Sequence, residues 1–284
     1  MGAVNGTLAI LAGEGRLPVV LAARARAGGR RVLAIQVRGA SPQLAEAADV
    51  YVRTPLGEVG RLLALLQGEG VTEVLLAGRF SRAAVHGDLA GGDAAARRLL
   101  ETVRDRGDQP FLSAVASALG RWGIRVGEQL AYVGDLLAPP GVLAGPPPAP
   151  EEAADVQVAV RVARHLADLE VGQTVVVKGG AVLAVEAAEG TDEAIRRGGS
   201  MAPGAVVAKV GRTQQDPRFD VPTVGPDTVA TLAAVRARVL ALEAHRTILL
   251  DPAEVRHAAQ ASGITVVAVD APPLRPRDAE AGRS

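Results

Sequence analysis

The chain of 284 residues contains no cysteine, and only 2 per cent of it is aromatic. The lack of cysteine excludes thiol catalysis, thiolate metal sites and disulfides, and it is compatible with a cytoplasmic protein. The core must therefore be built mainly from alanine, valine and leucine. Long apolar runs are missing too. Residues 8–12 are too few for a membrane helix, and the N-terminal sequence lacks the pattern of a signal peptide.

Neither sign of charge is in excess. The 31 basic and 31 acidic residues give a net charge of zero and are interspersed along the chain. A nucleic-acid-binding face or a polybasic membrane segment is therefore not expected. The four histidines have no metal-ligand spacing, and the P-loop, nucleophile-elbow and HExxH motifs are absent. Several common classes of enzyme are thereby excluded.

Short apolar segments alternate with helical ones in the first half of the chain. Residues 8–12, 31–37, 50–53 and 74–77 are predicted strands, and residues 17–27 and 59–66 are predicted helices. This alternation is typical of a parallel sheet with helices on both faces. We therefore predict an α/β fold whose N-terminal domain, residues 1–137, is Rossmann-like.

The second half is predicted to form another α/β domain. The Pro/Gly-rich stretch 138–150 is predicted to be a linker. Residues 151–271 are predicted to be a catalytic domain with a mixed sheet, because two apolar runs joined by Gly179 and Gly180 indicate a β-hairpin. Asp251 is the predicted N-cap of a helix over 252–261. Residues 272–284 are predicted to be a disordered tail.

The first predicted strand runs into the turn GEGRLP, residues 13–18, which opens a helix. Closely spaced glycines let backbone N–H groups approach a phosphate there, so Gly13, Gly15, Leu17 and Pro18 are candidate substrate-binding residues. The turn is only half of a dinucleotide fingerprint. Pro18 replaces the third glycine, and Gln36 lies where an acid would bind a ribose. A nucleotide diphosphate is favoured over NAD, with a tight structural turn as the alternative.

Two charged residues stand at the ends of apolar strands in the predicted hairpin, Lys178 and Glu186. Because a buried charge needs a partner or a ligand, both are candidate substrate-binding residues, and an ion pair between them is the alternative. Gly190, Thr191 and Asp192 follow and are candidates as well. Capping of the next helix by Thr191 or Asp192 would also explain them.

The most informative segment is 206–228, where an apolar run ends in a polar loop stiffened by three prolines. Asp216 and Asp220 face the same side if this loop is extended. Two carboxylates near a basic group can hold Mg²⁺ and a phosphate together, so both are candidate catalytic and metal-binding residues. An ion pair of Asp216 with Arg212 or Arg218 is the alternative. The other candidate substrate-binding residues of this segment are Lys209, Gln215, Thr223 and Gly225.

Four segments together resemble the UDP-2,3-diacylglucosamine pyrophosphatases of lipid A synthesis, of the type unrelated to calcineurin-like phosphoesterases. They are LAILAGEGRLPVVLA at 8–22, GDQPFLSAV at 107–115, VVVKGGAVLAVEAAEGTDEAIRR at 175–197 and KVGRTQQDPRFDVPTVGPDTV at 209–229. Each segment alone is a weak signal. The four in this order, between residues 8 and 269, are fairly specific.

The resemblance implies two domains with a ligand bound between them. It implies hydrolysis of UDP-2,3-diacylglucosamine to UMP and 2,3-diacylglucosamine 1-phosphate (lipid X), with water attacking the α-phosphorus and with Mg²⁺ or Mn²⁺ as cofactor. It adds Asp108 to the substrate-binding candidates and assigns the essential aspartate to Asp216 or Asp220. A cytoplasmic homodimer that meets the inner membrane only through its lipid substrate is also implied. The alternatives are a non-catalytic UDP-sugar sensor, a hydrolase of another UDP-sugar and a nicotinamide-dependent oxidoreductase.

Overall fold

The computed structural model describes residues 6–39, 41–80, 82–102 and 108–271, so the predicted tail at 272–284 lies outside the described residues. The chain divides into two compact units. Unit 1 comprises Met1–Gly134 together with Asp216–Asp220, and unit 2 comprises Asp135–Gln215 and Val221–Ser284. No helix in the described part of the chain is long and apolar enough to cross a membrane.

Unit 1 is built around a five-stranded sheet. Its strands are β1 (Thr7–Ala12), β2 (Val32–Gln36), β3 (Val50–Arg53), β4 (Val71–Ala77) and β5 (Arg125–Val126). Its helices are α1 (Leu17–Ala27), α2 (Pro42–Ala47), α3 (Val59–Gly68), α4 (Arg82–Ala90), α5 (Ala94–Thr102), α6 (Asp108–Gly120) and α7 (Leu130–Val133). The strand order is β3-β2-β1-β4-β5, and every pair is parallel. The predicted parallel sheet with flanking helices is confirmed.

The core of unit 1 explains why its strands are continuously apolar. All five residues of β2 are buried, as expected for a parallel sheet covered on both faces. Leu33, Ile35 and Leu76 belong to one apolar cluster, which also includes Phe219, only 3 per cent exposed. Through Phe219 the segment 216–220 packs into this core, in agreement with its assignment to unit 1.

Unit 2 contains a six-stranded mixed sheet, as predicted. After a 3₁₀ turn (Gly134–Leu136), its strands are β6 (Gly141–Ala144), β7 (Thr174–Lys178), β8 (Ala181–Val185), β9 (Val206–Lys209), β10 (Thr223–Val224), β11 (Val239–Glu243), β12 (Ile248–Leu249) and β13 (Thr265–Val269). Its helices are α8 (Pro150–Asp168), α9 (Thr191–Gly199), α10 (Pro226–Ala234) and α11 (Pro252–Ala261). The order is β6-β13-β11-β9-β7-β8, and β10 pairs separately with β12.

Alternation along the strands of unit 2 divides the core into two layers. Val175 and Val177 of β7 face α8, where Val156 and Val160 pack against them in one cluster. Val176 belongs to the opposite cluster, together with residues of α9, α10 and α11. β9, β11 and β13 are parallel, so their carboxyl ends meet at one edge of the sheet.

The stretch 138–150 is not a linker, so that prediction was wrong. β6 lies within it and pairs antiparallel with β13 at the edge of the sheet. Ala138 and Ala144 are 0 and 5 per cent exposed. Proline and glycine also flank short edge strands, which is why composition alone was misleading here.

The two predicted helix caps differ in their outcome. Asp251 is the N-cap of α11, as predicted, although its φ of 47° is left-handed and its side chain makes no capping hydrogen bond. At α9 the N-cap is Gly190, whose φ is 87°, so neither Thr191 nor Asp192 caps this helix. A glycine adopts this backbone conformation without the strain that a side chain would add.

Candidate functional site

The turn after β1 lies at the point where the strand order of unit 1 changes direction, between β1 and β4. Ligands of open α/β sheets bind outside the carboxyl ends of the strands at such a point. The Gly13 N–H donates to Ala77 O at 2.8 Å, and Glu14 and Arg79 exchange backbone hydrogen bonds of 3.1 and 2.8 Å. The turns that follow β1 and β4 are therefore joined through their backbones.

Two glycines make this close approach feasible. A Cβ on Gly13 would lie 2.4 Å from Arg79 O, and one on Gly78, whose φ is +96°, would lie 2.7 Å from Glu14 O. Gly15, with a φ of +102°, instead borders open space. Gly13 is thus required by backbone packing, whereas Gly15 leaves room beside its backbone for a ligand.

The start of α1 has the features of an anion site only in part. Arg16 at its N-cap is exposed and makes no side-chain capping hydrogen bond, and the first turn carries no acid. Leu17 and Pro18 are both buried, and proline has no N–H to donate. Pro18 therefore cannot bind an anion through a backbone N–H.

Gln36 does not take the place of the acid that binds a ribose in a dinucleotide site. Its side chain is 3 per cent exposed, and its amide nitrogen donates to Ala12 O at 3.2 Å and to Gly13 O at 2.9 Å. A third bond, of 2.6 Å, goes to Arg38 O. Gln36 therefore ties the end of β1 to the end of β2, which leaves no acidic partner for a ribose hydroxyl at this position.

The segment 216–220 is anchored in unit 1 and carries both candidate catalytic aspartates. Phe219 is buried, and its N–H donates to Asp216 O at 3.1 Å, which closes a turn. Three donor groups of Arg218 bond to Asp216: its backbone N–H at 3.0 Å, Nε at 3.0 Å and Nη2 at 2.7 Å. The guanidinium carbon of Arg218 also lies 4.8 Å from the centre of the Phe219 ring.

The two aspartates therefore lie in different environments. The hydrogen bonds from Arg218 lower the pKa of Asp216, outweighing its partial burial, and keep it ionised. Asp220 is exposed, and its φ of 50° is left-handed. The predicted alternative that Asp216 pairs with Arg218 is confirmed.

A metal cage made by the protein alone is absent from the described part of the chain, where no three His, Cys, Asp or Glu side chains converge. Both oxygens of Asp216 already accept hydrogen bonds from Arg218. Mg²⁺ is, however, commonly bound by one or two carboxylates together with substrate phosphates. The donor set of the segment fits that second kind of site.

A polar cluster lies in unit 2 at the carboxyl ends of β8 and β9. Lys209 Nζ donates to Thr191 Oγ1 at 3.0 Å, and Thr191 Oγ1 donates to Glu186 Oε1, also at 3.0 Å. Thr174 and Lys209 are paired in the sheet, and Thr174 Oγ1 lies 3.4 Å from Thr191 Oγ1. The structure thus brings three predicted site residues together, Lys209, Thr191 and Glu186.

Lys178 does not belong to this cluster. It lies at the other end of β7, about 13 Å from the position of Thr174 at the strand rise per residue, and its Nζ donates to Gly204 O at 3.0 Å. The alternative that it pairs with Glu186 was wrong, because the antiparallel register opposes Lys178 to Ala181. Asp192 lies in the first turn of α9, where an acid stabilises the positive end of the helix.

The remaining candidates are dispersed. Gln215 Oε1 accepts a hydrogen bond from Arg212 N at 3.2 Å, and Thr223 Oγ1 donates to Val221 O at 2.9 Å. Gly225 is the N-cap of α10 and extended, with a φ of −156°. Asp108 begins α6, but its side chain lies outside the described residues.

Sequence reasoning missed a buried ion pair at the carboxyl edge of the same sheet. Arg164 of α8 and Glu243 at the end of β11 are bonded to each other, with side chains only 2 and 3 per cent exposed. Both also bond to the backbone of Gly211. A signal was present, because Arg164 occurs at helical spacing from the apolar Val160 and Glu243 ends a strand whose other residues are apolar and buried.

Comparison with known proteins identifies the family. The LpxI N-terminal domain matches residues 7–136, and the LpxI C-terminal domain matches residues 139–267. The chain is also 34 per cent identical to the UDP-2,3-diacylglucosamine pyrophosphatase LpxI of Caulobacter vibrioides, over 95 per cent of this chain and 99 per cent of that protein. The chain belongs to the LpxI family.

The solved structures that resemble this LpxI-family chain do so weakly. Glycinamide-RNase-transformylase T of Mycobacterium tuberculosis is 17 per cent identical, with 63 per cent of this chain and 43 per cent of that chain covered and a TM-score of 0.24. N5-carboxyaminoimidazole ribonucleotide synthetase of Thermotoga maritima is 15 per cent identical, with 60 and 38 per cent covered and a TM-score of 0.23. The chain spans less than half of the length of each of these proteins. Similarity at this level says nothing about the function of the chain.

The two LpxI domains nearly coincide with the two units, with one difference. The match to the LpxI C-terminal domain includes residues 216–220, whereas the packing of Phe219 assigns this segment to unit 1. The chain therefore passes from unit 2 to unit 1 and back within the segment that carries both candidate catalytic aspartates.

Proposed function

We propose that this chain hydrolyses the pyrophosphate of UDP-2,3-diacylglucosamine, giving UMP and 2,3-diacylglucosamine 1-phosphate. One observation carries the proposal: the chain is 34 per cent identical to a UDP-2,3-diacylglucosamine pyrophosphatase, over 99 per cent of the length of that protein. Both LpxI domains are matched in order, which supports an intact activity.

The proposed step is attack of water on the α-phosphorus. A new bond forms from the water oxygen to that phosphorus, and the bond from the α-phosphorus to the bridging oxygen breaks. The bridging oxygen leaves with the β-phosphorus as the phosphate of the acylated sugar. UMP gains the water oxygen, and a carboxylate takes the proton that water loses.

Asp220 is the better candidate to act on water or on the substrate. Arg218 lowers the pKa of Asp216 and uses both of its oxygens, and a carboxylate stabilised in this way is a weak general base. Asp220 is exposed in the same short segment. In this account Asp216 supplies a fixed negative charge, and the turn closed on Phe219 presents Asp220.

Asp220 and Asp216 would hold Mg²⁺ or Mn²⁺ together with the pyrophosphate oxygens. The bound cation would neutralise charge on the pyrophosphate as the leaving phosphate departs. An all-protein cage is not required for this, because Mg²⁺ is commonly bound by one or two carboxylates together with substrate phosphates.

The cluster of Lys209, Thr191 and Glu186 is proposed to bind a phosphate or hydroxyl group of the substrate. The Thr191 hydroxyl accepts from Lys209 and donates to Glu186, so the three side chains are already ordered. A lysine ammonium is a point charge suited to a phosphate. The open side of Gly15 is the second proposed contact, made through backbone N–H groups.

The test is release of UMP from UDP-2,3-diacylglucosamine, with Mg²⁺ or with EDTA. Wild type is compared with Asp220→Asn and Asp216→Asn, and with Glu254→Gln as a control on an exposed acid of α11. We expect metal-dependent release that falls at least a hundredfold in Asp220→Asn and is unchanged in Glu254→Gln. Binding of UDP without turnover would instead favour a sensor, and turnover of another UDP-sugar alone would change the substrate.

The family resemblance also leads us to propose a homodimer in the cytoplasm that meets the inner membrane through its lipid substrate. Light scattering on the purified protein tests the dimer directly. A monomer at micromolar concentration would contradict it.

A further inference from the structure

The backbone of Gly211 is bound at both its N–H and its carbonyl oxygen by charged side chains from two regular elements. Glu243 Oε2 accepts from Gly211 N at 2.9 Å, and Arg164 Nη1 donates to Gly211 O. Arg164 Nη2 pairs with Glu243 Oε1, and Arg164 also donates to Ala271 O at 3.0 Å. Arg164 lies in the last turns of α8 and Glu243 is the last residue of β11, and together they bind the two successive peptide groups that flank the Cα of Gly211.

The next two residues of the loop are held as well. Arg246 Nη2 donates to Arg212 O at 2.6 Å and to Thr213 O at 3.1 Å, while its Nη1 lies 3.4 Å from Glu243 Oε1. The Asp168 carboxylate accepts from Thr213 N at 2.6 Å and from Thr213 Oγ1 at 2.7 Å. Three successive residues, 211–213, are therefore fixed by side chains of unit 2.

Stability alone is a poor explanation for such a pair. Desolvating two charges costs several kcal/mol each, and well-packed apolar side chains of similar volume are often as stable or more so. What an apolar pair could not do is donate to Gly211 O and accept from Gly211 N. The distinctive property of this pair is the conformation that it imposes on the backbone.

We propose that Arg164 and Glu243 are positioning residues for pyrophosphate hydrolysis, acting through Gly211. In sequence, Lys209 precedes Gly211 by two residues and Asp216 follows it by five. Gly211 therefore lies between two residues that have a role in the proposed function. Displacement of catalytic groups by about 1 Å can cost about a hundredfold in rate. The inference rests on the proposed function.

The decisive variant replaces both charges at once. Arg164→Met with Glu243→Leu keeps the side-chain volume and leaves no buried charge without a partner, so we expect it to fold. Its melting temperature should be moderately lowered, because the backbone N–H and carbonyl of Gly211 lose their partners. We expect its kcat for UMP release to fall about a hundredfold, with KM changed much less. Arg161→Met, on an exposed site of the same helix, is the matched control.

Hydrogen exchange gives a readout that does not depend on turnover. The Gly211 and Thr213 amides should exchange faster in the double variant, while the amides of β9 stay protected. The Gly211 amide loses its acceptor directly when Glu243 is replaced, so the deciding amide is that of Thr213, which bonds to Asp168. A merely structural pair would change neither the exchange of the Thr213 amide nor kcat in a variant that folds normally.

A second variant covers the case in which the double variant does not fold. Arg246→Met removes the bonds to Arg212 O and Thr213 O from a side chain that is 36 per cent exposed, so the fold should survive. We expect its kcat to fall by roughly tenfold. If wild type releases UMP and the variants are equally active, the positioning role of Arg164 and Glu243 is wrong while the proposed function stands. If wild type releases no UMP, both the proposed function and the positioning role are wrong.

Discussion

The Arg218 guanidinium holds both carboxylate oxygens of Asp216, with Nε 3.0 Å from Oδ1 and Nη2 2.7 Å from Oδ2. The pair occupies a five-residue segment that Phe219 anchors in unit 1. One aspartate of the segment is thereby fixed as an anion, and Asp220, the other, is exposed.

Arg218→Met should raise the pKa of Asp216 towards its ordinary value of 3.8, because the largest cause of its lowered pKa is the hydrogen bond from Arg218. A pKa lowered in the folded state stabilises the fold above 3.8, and this contribution is lost as the pH falls through the folded value. The stabilisation at neutral pH should be at most about 1 kcal/mol, since the pair is partly exposed.

Carboxyl ¹³C titration by NMR measures this pKa, and Arg61→Met, which breaks an exposed pair in the same unit, is the control. An unchanged pKa of Asp216 in Arg218→Met would contradict the assignment.

Phe219→Ala should destabilise unit 1 by about 3–5 kcal/mol, because it removes a buried ring and leaves a cavity. Phe219→Leu keeps most of the volume and should cost less than about 1.5 kcal/mol. Urea unfolding followed by fluorescence measures both, since the single tryptophan, Trp122, lies in unit 1. Equal stability of wild type and Phe219→Ala would mean that the ring does not anchor the segment.

Lys209→Met should lower kcat/KM for UMP release by about ten- to a hundredfold, the equivalent of one charge-assisted hydrogen bond. Lys178→Met is the matched control, because Lys178 lies at the other end of β7 and takes no part in the proposed binding cluster. The account would be contradicted if the two variants lost activity to the same extent.

Gly13→Ala should destabilise unit 1 by about 1–3 kcal/mol, because its Cβ would lie 2.4 Å from Arg79 O. Gly68→Ala, at the end of α3 with nothing within 4 Å of the added Cβ, should be neutral or stabilising. Chemical denaturation compares them. If Gly13→Ala were tolerated as well as Gly68→Ala, the close joining of the turns after β1 and β4 would be wrong.

Much of the fold follows from local pattern. The apolar strands around Ile10, Leu33 and Val74 alternate with helices, and that alternation correctly predicts a parallel sheet with flanking helices. The Gly179-Gly180 hairpin likewise predicts the mixed sheet of unit 2. These features depend on neighbours in sequence, which a single chain displays directly.

Features that depend on distant contacts were harder to predict. Only packing assigns Phe219 to the core of unit 1, and only the register of β7 sets Lys178 apart from Glu186. The hydrogen bonds by which Gln36 ties the end of β2 to the end of β1 likewise depend on a contact between distant residues. Arg164 and Glu243 were detectable as charges in apolar patterns, but their shared contact with Gly211 was not.

Hydrolysis in H₂¹⁸O tests the central claim most directly. The products of UDP-2,3-diacylglucosamine are separated and their masses are measured by mass spectrometry, in parallel for wild type and Asp220→Asn. Attack on the α-phosphorus predicts one ¹⁸O in UMP and none in 2,3-diacylglucosamine 1-phosphate, with product strongly reduced in Asp220→Asn. Label in the sugar phosphate, or release of product by Asp220→Asn at the wild-type rate, would contradict the account.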